Sequence, residues 1–286
     1  MNTSTYNFTH SQVLVNGVWV HVVESGDKSR QTILFLHGYP QTWMEFEQLM
    51  GLLQADYHVM AIDLPGIGQS GSIPAGTKRA IAKFIRDLLD VLGLAHVVLV
   101  GHDVGGMVCY AFIRDFPEYL VKAVIMCTAV PGVAPWEQVK QNPFIWHFAF
   151  FSVRELPEQL IDGKLNLLFD YFYDTISAKK EAIIPEKRKQ YVLAYSSATG
   201  LSTSLGWYRS FAEDEKEMNW SRICEVPLLY LKGAAERGEI TDYVQGFQLG
   251  GIRWLKAAKI ADSGHFAPEE NPEAVAALID DFLRNG

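Results

Sequence analysis

An aspartate stands at the centre of a short glycine-rich turn that could present it as a nucleophile. Asp103 lies in the segment Gly-His-Asp-Val-Gly, residues 101–105, directly after the apolar run 97–100. Small residues on both sides allow a strand to turn sharply into a helix, whose first amides then point toward the central side chain. The same aspartate could instead be a helix N-cap, for which aspartate is a favoured residue. The turn alone leaves both interpretations open.

Two further ionisable residues follow later strand-like runs, which would place them at the same edge of a sheet as Asp103. His265 follows the last such run, and Glu236 lies in a Gly-Ala-Ala-Glu turn after the run before it. The chain order nucleophile, acid, histidine is that of a hydrolytic triad. By charge alone, Glu239 and Asp242 are alternatives to Glu236 as the acid. The shared order favours a nucleophile over a helix cap at Asp103.

Short apolar runs alternate with helical patterns along most of the chain. The strand-like runs cover residues 33–36, 57–62, 97–100, 121–126, 226–231 and 252–260. Runs of this kind, rich in β-branched residues, are typical of strands buried on both faces. Helices are predicted over 81–92 and 272–283, the second capped by Asn271, and the pair Asn16-Gly17 predicts a hairpin near the start. The alternation predicts an α/β chain with a mostly parallel, doubly wound sheet.

Residues 131–214 interrupt this alternation. The segment has few strand-like runs and many aromatic residues, and it lies between two predicted sheet strands. We expect a helical lid (cap) subdomain there, inserted into a core formed by residues 1–130 and 215–286. Such a lid would cover the carboxyl edge of the sheet, where α/β folds bind small ligands. Most of its aromatic residues are expected to form the lid's own interior.

Composition narrows the class of protein. The chain has 286 residues, is 49% hydrophobic and 20% charged, and carries a formal net charge of -8, which argues against nucleic acid or an anionic membrane as partner. No apolar run is long enough to span a bilayer, and the polar first residues do not resemble a signal peptide. The three cysteines lack metal-binding or disulfide spacing. We therefore expect a cytoplasmic protein without metal or organic cofactor.

Several segments together resemble one branch of a known superfamily. They are His-Gly-Tyr-Pro at 37–40, Asp-Leu-Pro-Gly-Ile-Gly-Gln-Ser at 63–70, residues 101–106, Trp-His-Phe at 146–148, Tyr-Arg at 208–209 and Gly-His at 264–265. Over nearly its full length the chain resembles the α/β-hydrolase group that holds epoxide hydrolases and haloacetate or haloalkane dehalogenases. The lid segment 146–148 also resembles the branch with fluoroacetate dehalogenases and a bacterial secreted epoxide hydrolase virulence factor. The resemblance implies the α/β-hydrolase fold.

The resemblance implies a reaction in two steps. A carboxylate can displace at saturated carbon, so Asp103 would open an epoxide and form an ester. His265 would then activate a water that hydrolyses this ester, while Glu236 orients the imidazole. The backbone amides of Tyr39 and Val104 would hold the oxyanion of the second step. With a reference pKa of about 3.9, the aspartate needs no base to ionise it near neutrality.

The resemblance also assigns roles in the lid. Epoxide hydrolases of this fold resemble one another in using lid tyrosines as donors to the opening ring, and Tyr208 matches that position. Its expected partner is His147, as in the His/Tyr pair of the virulence-factor branch, although a lone lid histidine can be purely structural. Tyr173 is the alternative partner. Trp146 is expected to contribute to the substrate site.

Three other residues near these motifs are expected to be structural. In this group the acid can follow either of two strands, and the second position falls near Cys127, which cannot act as a permanent carboxylate. Glu236 is therefore preferred, and Cys127 is expected to be a small buried hydrophobe. His37 and His102, beside the oxyanion turn and the nucleophile, are expected to brace their loops.

The substrate that best fits is a small apolar epoxide. Haloalkane dehalogenases resemble one another in having Trp after the nucleophile and often Asn or Glu after the His-Gly pair, where this chain has Val104 and Tyr39. Fluoroacetate dehalogenases carry two arginines that grip the substrate carboxylate, where this chain has Val104 and Met107. A haloacid or haloalkane dehalogenase remains the first alternative, and a non-catalytic ligand receptor on a hydrolase scaffold is the second. A monomer or a homodimer is expected.

Overall fold

The computed structural model describes residues 6–74, 76–218 and 222–285. The strands in these ranges are β1 (Thr9–Val15), β2 (Val18–Ser25), β3 (Thr32–Leu36), β4 (His58–Ile62), β5 (Val97–His102), β6 (Leu120–Met126), β7 (Leu228–Gly233) and β8 (Leu255–Ile260). They form one sheet in the order β1-β2-β4-β3-β5-β6-β7-β8. From β4 to β8 all neighbours are parallel, whereas β1 and β2 form an antiparallel edge. The expected α/β class and mostly parallel sheet are confirmed.

Helices cover both faces of this sheet. The α-helices of the described residues are α1 (Glu47–Leu53), α2 (Lys78–Leu92), α3 (Val104–Asp115), α4 (Trp136–Lys140), α5 (Trp146–Ser152), α6 (Leu156–Ile161), α7 (Leu165–Ile176), α8 (Pro185–Tyr195), α9 (Ala198–Arg209), α10 (Phe211–Met218), α11 (Ile240–Leu249), α12 (Ala267–Glu270) and α13 (Pro272–Asn285). One apolar core lies between the sheet and α1 and α13, and the other between the sheet and α2 and α3. This arrangement confirms a doubly wound sheet. None of the helices described has the length and apolarity that a bilayer-crossing segment needs.

Local signals in the sequence account for several element ends. Asn16 and Gly17 have φ of 50° and 82°, the positive values that a tight two-residue hairpin turn requires. Helix α2 begins after Thr77, whose side chain accepts from the Ala80 amide at 3.2 Å. The Asn271 side chain caps α13 as predicted, accepting from the amide of Ala274 at 3.2 Å.

Several strand ends differ from the sequence prediction, and β7, for example, covers Leu228–Gly233 rather than residues 226–231. Strand β5 extends beyond the apolar run to His102, so the strand reaches the residue that precedes Asp103. The last strand begins at Leu255 rather than at residue 252, because Ile252 pairs only in an isolated bridge with Cys224. Apolar character alone cannot distinguish a single bridge from a ladder of paired residues.

The helices α4 to α10 are inserted between β6 and β7, where the sequence predicts the lid. Five of its large aromatic side chains are 0% exposed: Phe151, Phe169, Tyr173, Tyr191 and Tyr195. By contrast, Phe144 is 66% exposed and Tyr171 is 47% exposed. Most of the lid aromatics therefore build its interior, as expected. Helix α10 continues past residue 214 to Met218, and the boundary between lid and core at 214 stays a prediction.

A buried ion pair ties the lid to the core. Lys78, at the start of α2, and Asp214, in α10, are both fully buried, and Lys78 Nζ lies 2.7 Å from Asp214 Oδ2. The ammonium also donates to the Ser210 hydroxyl at 2.9 Å and to the Trp207 carbonyl. Removing two charges from water is costly, so such a pair stabilises the fold only while both partners are present.

We expect Lys78→Met to lower the free energy of unfolding by about 3–5 kcal/mol, because Asp214 is left charged and unpaired in the interior. The double variant Lys78→Met/Asp214→Leu should recover most of this loss. Urea denaturation measures the free energy of unfolding of the single and the double variant. Lys28→Met is the matched control, since Lys28 pairs with Glu24 while its own side chain is 72% exposed, and it should cost less than about 1 kcal/mol. Equal stabilities of the single and double variants at the buried pair would contradict this prediction.

Candidate active site

Asp103 occupies a strained position between β5 and α3. Its φ of 48° and ψ of -116° lie outside the regions that non-glycine residues normally adopt, as expected of a nucleophile at a sharp strand-to-helix turn. The side chain does not cap α3. Instead Asp103 Oδ1 accepts a hydrogen bond from the Tyr39 amide at 2.9 Å. The geometry therefore disfavours the helix-cap interpretation.

Glycines permit the close packing that this turn requires. A Cβ atom on Gly105 would lie 2.0 Å from the Leu36 carbonyl oxygen, and one on Gly101 would lie 2.2 Å from the Gly105 carbonyl oxygen. A Cβ atom on Gly38 would lie 2.4 Å from Asp103 Cβ. Only glycine fits these contacts between backbone segments. The loop after β3 is thereby brought directly against Asp103.

His265 and Glu236 lie together beside Asp103. His265 Nδ1 is 3.0 Å from Glu236 Oε1, and His265 Nε2 is 3.7 Å from Asp103 Oδ2. Because the carboxylate is an acceptor, Nδ1 carries the proton and Nε2 can act as a base. Burial raises the pKa of Glu236, but the hydrogen bond and charge of His265 and the charge of Lys232 outweigh it and lower this pKa. The structure thus brings all three predicted triad residues together.

The alternative acids lie elsewhere. The Glu239 side chain is 74% exposed and lies 3.5 Å from Lys259 Nζ, and Asp242 is exposed on α11. Cys127, at the end of β6, is buried as expected, and burial raises the pKa of its thiol to about 12. All three cysteines are free, and no group of three or more potential metal ligands occurs in the part of the chain described.

A buried histidine joins the loops around the triad. His102 Nδ1 is 2.9 Å from Glu45 Oε2, and His102 Nε2 is 2.8 Å from the His265 carbonyl oxygen. Glu45 Oε1 also accepts from the Gly38 amide at 3.2 Å. Both nitrogens of His102 face acceptors, so the ring carries two protons. Burial opposes this charge, but Glu45 raises the His102 pKa well above 6.5.

No pattern in the sequence singles out Glu45. Its charge resembles that of Glu47 two residues later, which is partly exposed, and only packing distinguishes them. His102 braces its loop as predicted. His37 also does so, since it lies 2.9 Å from the Gly38 carbonyl through Nδ1 and accepts from the Leu64 amide at 2.9 Å through Nε2.

Glu270 is a second residue beside the site that no pattern in the sequence singles out. Its two oxygens accept from the amides of Gly264 at 2.9 Å and Phe266 at 3.0 Å, which flank His265. The lid amide of Ala178 donates to the same carboxylate at 2.6 Å. Glu270 therefore fixes the loop that carries the histidine and joins it to the lid.

Tyr208 and His147 lie side by side in the lid. Their ring centroids are 5.7 Å apart, and both rings contact Phe151. Burial and the charge of Asp103 raise the pKa of Tyr208, which keeps the phenol protonated. Burial and the charge of His265 lower the pKa of His147 to about 3, so its imidazole is neutral. The structure brings the expected pair together as two neutral donors.

Tyr39 and Val104 occupy the positions expected of oxyanion donors. Trp146 lies beside His147, with ring centroids 6.1 Å apart, and the Tyr173 hydroxyl is held by the backbone. Val104 begins α3, and a first-turn amide has no partner within its helix. The Tyr173 hydroxyl donates to the Pro40 carbonyl at 3.0 Å, so it is engaged by the backbone. Trp146 is 37% exposed and stacks on a neighbouring lid ring. The structure therefore favours His147 over Tyr173 as the partner of the lid tyrosine.

The raised pKa of His102 predicts a pH-dependent contribution to stability. A pKa above the unfolded value stabilises the fold fully below about pH 6.5, and the stabilisation is lost as pH rises toward the raised pKa. We expect the stability difference between wild type and His102→Gln to shrink as pH rises above about 6.5 in urea denaturation. His37→Gln is the matched control with the opposite trend, because burial lowers the His37 pKa. If the stability difference between wild type and His102→Gln stays constant with pH, the proposal that the His102 ring is charged is contradicted.

Comparison with known proteins assigns the chain to a family. The alpha/beta hydrolase family matches residues 33–278. A soluble epoxide hydrolase of Corynebacterium sp. (strain C12) is 27% identical over 277 residues, covering 93% of this chain and 94% of that protein. Cfl2 from Burkholderia cenocepacia has a crystal structure with a TM-score of 0.88 at 30% identity, covering 97% of this chain and 96% of that one. For the Cif epoxide hydrolase from Acinetobacter nosocomialis the TM-score is 0.86 at 29% identity, covering 96% and 89%. The chain belongs to the alpha/beta hydrolase family.

Proposed function

We propose that this protein hydrolyses an epoxide to a vicinal diol through an ester on Asp103. The observation that supports the proposal is that Asp103 lies beside His265 and below a lid that holds Tyr208 and His147. Its carboxylate contacts the Tyr39 amide and lies 3.7 Å from His265 Nε2, while Tyr208 and His147 lie in the lid over this edge of the sheet. A carboxylate nucleophile with oxygen-directed donors suits the opening of a strained ether.

In the first step Asp103 Oδ2 attacks one carbon of the epoxide. A carbon–oxygen bond forms as the ring carbon–oxygen bond breaks, and the released oxygen takes a proton from Tyr208 or His147. Because Tyr208 and His147 are uncharged, they do not attract an anion into the site before the ring opens. They can still donate hydrogen bonds to the alkoxide as it develops. The Tyr39 amide holds Oδ1, which leaves Oδ2 as the attacking atom.

In the second step water hydrolyses the ester. His265 Nε2 removes a proton from the water, which attacks the Asp103 carboxyl carbon, and Glu236 stabilises the resulting imidazolium. The amides of Tyr39 and Val104 would hold the tetrahedral oxyanion. Collapse releases the diol and restores the carboxylate, with the proton returned from His265 to the lid donor through the product or solvent.

Similarity supports this substrate class over the alternatives. The relatives from Corynebacterium and Acinetobacter described above are named as epoxide hydrolases. Dehalogenation by the same aspartate is less well supported, because apolar Val104 and Met107 stand where fluoroacetate dehalogenases carry arginines. The contact of Glu236 with His265 also weakens the reason for proposing a non-catalytic receptor. The monomeric or homodimeric state and the cytoplasmic location stay predictions.

His265→Gln should stop the reaction after the first step, because the ester then lacks the base that activates water. With styrene oxide, intact mass spectrometry should detect the variant carrying one substrate mass on Asp103. The variant Asp103→Ala, with nothing to alkylate, is the control and should gain no mass. Normal diol production by His265→Gln would overturn the assigned mechanism, and the absence of both diol and ester with a panel of epoxides would overturn the function.

Tyr208→Phe should slow ester formation by roughly 100-fold, since the alkoxide loses one proton donor. The rate is measured in the His265→Gln background by following the adduct with time. Tyr171→Phe is the matched control, because that lid tyrosine is 47% exposed and should leave the rate unchanged. An equal rate for Tyr208→Phe and its control would exclude Tyr208 as a donor.

A further inference from the structure

The hydroxyl of Tyr39 is buried without a hydrogen-bond partner. The side chain is 5% exposed, and its Oη atom has no partner within residues 6–74, 76–218 and 222–285. Five aromatic rings surround the Tyr39 ring, with centroids 5.5–6.1 Å from its own: Phe151, Phe169, Phe172, Tyr195 and Tyr208. Buried hydroxyls nearly always have a partner, so an unpaired one calls for an explanation.

Two other buried tyrosines of the lid have their hydroxyls paired. Tyr195 donates to the Gln41 carbonyl at 2.7 Å, and Tyr173 donates to the Pro40 carbonyl at 3.0 Å. Both of these hydroxyls fasten the lid to the loop after β3. Tyr39 fastens nothing through its hydroxyl, and a phenylalanine would fill almost the same volume. Packing therefore accounts for the ring of Tyr39 but not for its oxygen.

The position of Tyr39 links this oxygen to the reaction site. Its amide binds Asp103 Oδ1, and its phenol ring leads from there into the lid. Its neighbours Phe151, Phe172 and Tyr208 also surround the ring of His147, whose Nδ1 is likewise buried without a partner. Two unpaired polar atoms thus share one aromatic enclosure next to the nucleophile.

We propose that the Tyr39 hydroxyl donates a hydrogen bond to a second oxygen of the substrate, outside the epoxide ring. This inference rests on the proposed function, which uses Tyr208 and His147 for the ring oxygen and leaves Tyr39 unused. The preferred substrate is then an epoxide with a hydroxyl, ether or carbonyl oxygen a few bonds from the ring. Burial and the charge of Asp103 raise the pKa of Tyr39, so its hydroxyl is a donor at neutral pH.

A matched pair of epoxides tests this substrate class. Propyloxirane and hydroxyethyloxirane differ only in a terminal methyl or hydroxyl group. Wild type should have the higher kcat/KM for the hydroxylated epoxide, and Tyr39→Phe should reduce this preference by about five- to tenfold, the effect of one neutral hydrogen bond. Because the ratio compares two substrates on one variant, any common effect on the oxyanion amide cancels.

Tyr110→Phe is the matched control. Its hydroxyl is also buried and unpaired within the described residues, but the ring packs on Phe247 in the core, away from the lid. The Tyr110→Phe variant should keep the wild-type preference for hydroxyethyloxirane over propyloxirane. Thermal unfolding should give Tyr39→Phe a midpoint no lower than that of wild type, because no hydrogen bond is lost.

Two results would overturn the inference while leaving the proposed function in place. One is a wild-type enzyme with no preference for hydroxyethyloxirane, a measurement that does not depend on the folding of any variant. The other is a Tyr39→Phe variant that slows both epoxides equally, which would make Tyr39 a donor to the ring oxygen. If wild type hydrolyses neither epoxide and His265→Gln forms no ester with them, the proposed function fails and the inference fails with it.

Discussion

The close approach of two backbone loops is the constraint on which the rest of the site depends. The turn at Asp103 packs so tightly against the end of β3 that a Cβ atom on Gly105 would lie 2.0 Å from the Leu36 carbonyl oxygen. This contact places the Tyr39 amide 2.9 Å from Asp103 Oδ1. Contacts between main-chain segments therefore position the Tyr39 amide and the backbone of Asp103, the residue that we propose as the nucleophile. Strain at Asp103 is tolerated because the sheet and α3 hold both sides of the turn.

Buried charges hold the remaining loops against this centre. The ring of His102 joins Glu45 to the carbonyl of His265, and Glu270 binds the amides on both sides of that histidine. Each of these charged side chains has hydrogen-bond partners, and these bonds offset the free-energy cost of removing the charge from water. The same carboxylates also contact the lid or the oxyanion loop. Glu270 thus joins the loop that carries His265 to the lid through backbone hydrogen bonds.

The lid surrounds Tyr208 and His147 with aromatic rings. Tyr208 and His147 remain neutral there because burial raises one pKa and lowers the other, and both changes keep a proton available without a net charge. Electrostatic interactions with a developing alkoxide are stronger in such surroundings than in water. The hydroxyl of Tyr39 has no partner in these surroundings and packing does not explain it, which is why we propose that it binds the substrate.

The sequence by itself determined the strand-and-helix alternation, the hairpin at Asn16-Gly17, the insertion of a helical lid and the turn that carries Asp103. These features rest on local periodicity, turn chemistry and chain order, which residues specify over short distances. Only the tertiary structure decided that Glu236 rather than Glu239 meets His265, that Tyr173 is engaged by Pro40, and that Glu45 is buried. Carboxylates and phenols of the same type are indistinguishable by pattern, because their roles depend on partners more than twenty residues away and on burial that packing alone creates.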